Sequence, residues 1–372
     1  MDSLNNISAG NTYRYLDACA GDFISLVKIL SYGKPWMFLT GSRSVGKSTG
    51  ISIFHVIDFL KNGKKFIYTR RTKDETLLTC NTFYSNAIEI INRKTDFKIK
   101  KFYYEAGKYY IQMEGEESPK ECGMIIPLSQ EQKYKSSNLS GFCNLVYDEF
   151  IASDPSLYLG SKDYPDREYN ALISLYQTID RGIDRPFRNE TRFFFAANTT
   201  TIYNPIFLKL GISDYIEDHS RFISPKKALW VLNQIPEVKA TETIKDSFAY
   251  MLSDDFNRKY SYENKGRDTD DFIKRPPANR RLYHCTLSYK GSKYGVYSDF
   301  DRCDYYIDNP QEGHKIISLD AESHTQDDLI MITSWNEIPI MGSLLIRFKR
   351  GKLFFGNGRI KTVFYKYFKL SP

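Results

Sequence analysis

Residues 41–48 read GSRSVGKS, and the sequence on either side says what that octet is for. Before it, 36–40 (WMFLT) is a short apolar run held between Pro35 and Gly41, as a buried strand requires. After it, Ile53, Val56, Ile57 and Leu60 recur at helical spacing up to Gly63, which supplies a stop. Strand, glycine-rich loop and helix in that order make a phosphate-binding loop of the GxxxxGK[ST] type. Gly41 and Gly46 let the backbone turn N–H groups onto phosphate oxygens, Lys47 reaches the β- and γ-phosphates, and Ser48 offers a hydroxyl to Mg²⁺. Ser42, Arg43, Ser44, Val45 and Thr49 complete the stretch that wraps the nucleotide.

Working outward, 65–70 (KFIYTR) reads as a second strand, 74–92 as a helix, and 145–148 and 193–197 (FFFAA) as further strands. Such alternation predicts an α/β fold, a parallel sheet covered on both faces. In 144–150 (NLVYDEF) an apolar strand delivers Asp148, suited to the Mg²⁺ shell, and then Glu149, suited to deprotonating an attacking water. The strand at 65–70, lying in sequence between the two motifs, together with the Asp-Glu pair, predicts an additional-strand, catalytic-glutamate (ASCE) P-loop NTPase that hydrolyses ATP. Asn198 ends the last of these strands, where it fits either a γ-phosphate sensor or a plain strand-end turn.

A chain of 372 residues with 41% hydrophobic content has material for two domains. The expected division is an ATPase domain over 1–237, a charged and polar lid or linker over 238–279, and a second domain over 280–372. The second opens with short aromatic strands (RLYHCTLSYKG, KYGVYSDF, DYYIDN) that read as an antiparallel meander. It closes on a basic stretch that includes Arg347, Lys352, Arg359 and Lys366, with no acidic residue after Glu337. A net charge of +7 favours a polyanionic partner without choosing one. The 28 tyrosines and 25 phenylalanines suit a β-rich core better than a base-stacking surface. The six cysteines are scattered, as in a reducing cytoplasm, and the adjacent His284 and Cys285 read as strand packing rather than a zinc site. The amino terminus lacks a signal-peptide layout and no apolar run is long enough to span a bilayer, so the expectation is a soluble cytoplasmic protein without a membrane partner.

In order and spacing GSRSVGKS, FIYTRRTK, KSSNLSGFCNLVYDEF and FFFAANTTTIYNP resemble the DNA-packaging motor ATPases of tailed phages, in particular the compact encapsidation ATPases of small, protein-primed phages. The likeness is strongest over 37–205 and visible again over 281–308. It implies a homomeric ring, expected to be pentameric, that docks transiently on the portal of the procapsid and drives double-stranded DNA inward. By the same resemblance, Arg43 matches an arginine carried in the phosphate loop. Arg181, in QTIDRG, matches the arginine offered to the next subunit's γ-phosphate, and extra residues at 182–187 leave Arg185 and Arg188 as substitutes. Lys73 and Lys135 match basic positions that act at the subunit interface or on DNA. With Arg70, Arg71 and Lys133 they are expected to grip duplex phosphates without regard to sequence.

The carboxy-terminal domain resembles the ribonuclease-H-like α+β nuclease domain of large packaging ATPases in a degenerate form. Its first strand, 282–289, has no Asp or Glu, and Asp299, Asp301, Asp320 and Glu322 read as surface carboxylates. No nuclease activity is expected. The domain is assigned instead to binding the portal, DNA or a structural packaging RNA. Two other readings stand beside the motor: a nucleoside or small-molecule kinase, against which Glu149 argues, and a nucleotide-switched nucleic-acid-binding scaffold, against which the complete motif set argues.

Overall fold

The structure is a computed structural model. It describes residues 24–42, 45–139, 141–152, 157–159, 166–181, 190–198, 204–212, 221–234, 251–253, 272–289, 291–299, 301–320, 324, 330–331, 339–358, 360–361 and 363–364. The chain divides into two compact units, 1–267 and 268–372.

In the first unit a short helix α1 (Leu26–Leu30) precedes β1 (Trp36–Thr40), α2 (Lys47–Asn62), β2 (Lys65–Thr69), α3 (Lys73–Phe83) and α4 (Ser85–Lys94). Then come β3 (Ile99–Glu105), β4 (Lys108–Met113), β5 (Lys120–Ile125), a 3-10 turn (Leu128–Tyr134) and β6 (Phe142–Asp148). The unit continues through α5 (Arg167–Asp180), β7 (Arg192–Ala197), α6 (Pro205–Leu210), β8 (Phe222–Ile223) and β9 (Trp230–Gln234). Their nine strands form one sheet in the order β3-β4-β5-β2-β6-β7-β1-β9-β8. The six from β5 to β9 in that order are parallel, and β3, β4 and β8 extend the two edges antiparallel. Side chains alternate along β7: Phe194 joins the core under α2 and α4, while Phe193 and Phe195 join the core under α5 and α6. Each such ring, withdrawn from water, contributes about 1.5–3 kcal/mol, so the FFF triplet pins the sheet to both helical layers.

One local expectation changes, and one hairpin was not anticipated. The sequence places one helix over 74–92, but the chain breaks at Tyr84 (φ −95°, ψ −8°), which closes α3 and opens α4. Tyr84 is completely buried against Phe66 and Tyr109, and its hydroxyl meets His55 Nδ1 at 3.0 Å. Seating that ring decides the backbone there. The β3–β4 hairpin turns on Ala106 and Gly107, both with positive φ (48° and 89°), a two-residue turn that carries alanine where asparagine or aspartate usually signals it.

The second unit holds β10 (Arg281–Tyr289), β11 (Ser292–Asp299), β12 (Tyr305–Asp308), β13 (Ile316–Ser318), β14 (Ile330–Met331), α7 (Pro339–Lys349) and β15 (Leu353–Phe355). The sheet runs β14-β13-β10-β11-β12-β15. The expected meander is β10, β11 and β12, antiparallel in turn, and β13 then lies parallel to β10. Its core joins Leu287, Val296, Ile307 and Ile317 to Met341 and Leu344 of α7. Cys285 is in that core, its thiol pushed up to about 12 by burial, and His284 stacks on Tyr305 and meets Ser298 Oγ at 2.8 Å. The unit begins ahead of the boundary expected at 280, because Ile273 bridges to Phe355 and the Lys274 amide donates to the Phe355 carbonyl at 3.0 Å. Most of the expected lid over 238–279 lies outside the described residues. Among the described residues no helix is long and apolar enough to cross a membrane.

Candidate active site

The loop after β1 is shaped by one residue. Gly46 stands at φ 83°, a left-handed conformation that an L side chain would strain, and it caps α2 without any side-chain bond. The first N–H groups of α2 are therefore left to whatever anion approaches. Val45 anchors the loop from behind: its side chain is buried and its carbonyl accepts from the Ile24 amide at 3.0 Å. Lys47 Nζ donates to the carbonyls of Gly41 (2.9 Å) and Ser42 (2.7 Å) and to Asn198 Oδ1 (3.1 Å). The ammonium is thus held at the loop's mouth, and Asn198, from the end of β7, belongs to the same cluster.

β7 explains how distant motifs meet. It lies between β1 and β6, so the ends of these three strands stand side by side. The strand expected to be the extra one, β2, is in fact on the far side of β6. Across this edge Ser48 Oγ donates to Asp148 Oδ1 at 3.4 Å, joining residues a hundred positions apart. The other carboxylate oxygen, Oδ2, takes Arg70 Nη2 at 2.7 Å, Arg70 Nε at 3.2 Å and the Tyr68 hydroxyl at 3.4 Å. Asp148 is 6% exposed and divides its oxygens between a hydroxyl and a guanidinium. Hard oxygen donors from a serine and an aspartate suit Mg²⁺, so the residues present fit the cation. Glu149 follows with its side chain exposed and its backbone left-handed, φ 54°, which turns it away from the strand's alternation.

Two basic residues expected to grip DNA are turned inward instead. Burial disfavours the charge of Arg70, and Asp148 more than offsets that by pairing with it. Arg71 is 4% exposed: its Nε bonds Glu168 at 3.0 Å and its Nη2 reaches the Phe150 carbonyl at 2.9 Å. A buried guanidinium with these partners cannot also hold phosphate at the surface. Lys73, Lys133 and Lys135 are exposed, as is Arg181, whose Nη2 donates to the Lys135 carbonyl. The 3-10 turn carrying Lys133 is tied to the β2–α3 corner by the Leu128 and Ser129 amides, which donate to the carbonyls of Arg70 and Arg71 (both 2.9 Å). These basic residues therefore occupy adjoining elements. Arg43, Ser44, Arg185 and Arg188 lie outside the described residues. No local pattern pointed to Glu168, 97 positions from the arginine it pairs with.

Residues 21–371 match the family described as Podovirus DNA encapsidation protein (Gp16). Curated relatives include the DNA packaging protein of Bacillus phage B103, 28% identical over 347 residues and covering 92% of this chain and 98% of that one. The DNA packaging protein of Bacillus phage phi29 is 27% identical over 354 residues, 93% of this chain and 97% of that one. Among solved structures, the bacteriophage Phi-29 genome packaging motor assembly has a chain that superposes with a TM-score of 0.68 at 22% identity, covering 94% of this chain and 99% of its own. The Phi-28 DNA packaging motor gives 0.59 at 18% identity, covering 94% and 97%. These two likenesses establish the fold.

Proposed function

The chain belongs to the podovirus DNA encapsidation protein (Gp16) family, and from that membership and the geometry of its site we propose that it is an ATP-driven motor for double-stranded DNA. It acts as a homomeric ring, expected to be pentameric, docked on the portal of the procapsid in the host cytoplasm. The observation that carries this is the convergence of Lys47, Ser48, Asp148 and Asn198 on one sheet edge, with Glu149 swung outward beside them. The order β1-β7-β6 supports the ASCE class, in which a strand separates the phosphate loop from the acidic pair. The order β14-β13-β10-β11-β12, with β13 parallel to β10, supports a ribonuclease-H-like second unit. That unit would bind the portal, DNA or a structural packaging RNA.

The amides opening α2 and Lys47 bind the phosphates, and Ser48 with Asp148 Oδ1 would hold Mg²⁺. When bound, that cation neutralises charge developing on the transferred phosphoryl group. Asn198 keeps Lys47 oriented, and Glu149 takes the proton of the attacking water. Lys73, Lys133 and Lys135 remain as the group that meets duplex phosphates.

Steady-state ATP hydrolysis with and without long duplex DNA tests the reading. Duplex should stimulate turnover, Lys47→Ala should lose nucleotide binding or turnover, and Glu149→Gln should bind ATP yet turn over roughly 10²- to 10⁴-fold more slowly, the usual worth of a general base. Absence of stimulation at concentrations where rings form would sink the motor, and brisk turnover by Glu149→Gln would move the base elsewhere.

A further inference from the structure

Glu149 sits in a conformation its residue type resists. A left-handed backbone at a residue with a Cβ costs on the order of 1–2 kcal/mol, and such a conformation persists only where the surroundings over-determine it. Here the restraint falls on the carbonyls at and just after the turn. Arg71 Nη2 donates to the Phe150 carbonyl at 2.9 Å and reaches the Glu149 carbonyl at 3.4 Å. Phe150 is itself fixed, its ring among Phe38, Phe195 and Phe207 and its amide on the Ala196 carbonyl at 3.3 Å.

Arg71 is in turn held. Glu168, 1% exposed, accepts from Arg71 Nε at 3.0 Å and Nη2 at 3.3 Å, from the Tyr147 hydroxyl at 2.7 Å and from the Leu159 amide at 2.7 Å. The guanidinium also lies over the rings of Tyr147 and Tyr158, at 5.8 and 5.0 Å. Burying two opposite charges is a poor way to gain stability, since well-packed apolar residues often do as well or better. What such a pair does supply is a fixed guanidinium fork. This one is aimed at the peptide that sets the direction of the Glu149 side chain.

We propose that Arg71, locked by Glu168, is a positioning residue that holds Glu149 in its left-handed turn and so aims the carboxylate at the attacking water. The inference rests on Glu149 being the base. Misplacement of a reacting group by about 1 Å costs on the order of 10²-fold, and that is the scale to look for. Lysine at position 71 keeps the charge next to Glu168 but cannot span Glu168 and the two carbonyls with a planar fork.

The test compares Arg71→Lys in the wild-type and Glu149→Gln backgrounds, with folding checked by thermal melting and rates taken from single and multiple turnovers of ATP. Arg71→Lys should lower kcat roughly 10- to 10²-fold with the ATP KM within about twofold. In the Glu149→Gln background it should have no further effect, because no carboxylate remains to aim. Should Arg71→Lys not fold, Glu168→Gln, which loosens the lock while keeping its shape, is carried through the same cycle with the same expectation. A kcat within twofold of wild type in a folded variant, or an equal loss in both backgrounds, overturns the proposal. Glu149→Gln turning over like wild type would instead remove the reading beneath it.

Discussion

His55 is a titratable ring that the fold has buried without a charge partner among the described residues. It lies on α2, stacked on Phe66 with ring centroids 5.5 Å apart, and its Nδ1 meets the Tyr84 hydroxyl. Among the described residues its Nε2 has no hydrogen-bond partner. Burial lowers its pKa from 6.5 to about 3, so the folded protein carries it neutral. Between pH 6.5 and about 3 the unfolded chain binds the extra proton, and stability must fall as pH falls through that window by up to about 1.4 kcal/mol per unit. From pH 7 to pH 5 that is about 2 kcal/mol from this one ring. Urea melts at the two pH values should show His55→Phe losing less than wild type by that amount. Its absolute stability should drop by about 1–3 kcal/mol, because the Tyr84 hydroxyl loses its partner. Equal losses on acidification would exclude His55 as the source. Individual side chains were also where the sequence misled: in RRTK all four residues look like surface, yet Arg70 and Arg71 turn to Asp148 and Glu168, partners supplied by segments about 80 and 100 positions away.

Among elements, the legible ones announced themselves locally. β1, its loop and α2 need only their own residues, with an apolar run before the glycines and a periodic one after, and their bounds match the sequence reading. The break at Tyr84 and the β3–β5 edge were illegible because their causes are distant or weakly coded: a ring seated among His55, Phe66 and Tyr109, and a hairpin turn built on alanine. Sheet order was likewise hidden, since no local pattern says that β7 rather than β2 separates β1 from β6. In the second unit the question is whether its strands carry a nuclease. β10 holds no carboxylate, and the neighbouring ones are engaged in structure. Asp299 accepts from the amides of Asp301 (2.9 Å) and Arg302 (3.4 Å), Asp308 from that of Asn309 (2.8 Å), and Asp304 pairs with Lys352 at 3.3 Å. Two-metal cleavage needs carboxylates free to converge on the ions. Incubation of the full chain with supercoiled plasmid and Mn²⁺ should leave the plasmid intact. Cutting that disappears in Asp299→Asn or Asp320→Asn would reverse this assignment.

For the molecule as a whole, α5 sets how far Arg181 stands from the chain's own site. Glu168, in the first turn of that helix, is bound through Arg71 to the peptide beside Glu149, so this end of α5 belongs to the chain's own site. Arg181 caps the other end, about 20 Å away at 1.5 Å per residue, farther than one side chain spans. It is exposed there, held against the 3-10 turn at Lys135. We propose that an arginine so placed serves a neighbour's site, as a head-to-tail ring interface would provide. A trans arginine of this kind is worth roughly 10³- to 10⁵-fold in rate where GTPases have been measured. Rings of Arg181→Ala alone and of Glu149→Gln alone should therefore both be nearly inactive. In an equal mixture, about a quarter of the interfaces pair an intact Glu149 with an intact Arg181 whatever the ring size, and hydrolysis should recover in part. Recovery must also depend on mixing before assembly, because preformed rings share no interfaces. If confirmed mixed rings stay inactive at every ratio, Arg181 is not the group offered across the interface.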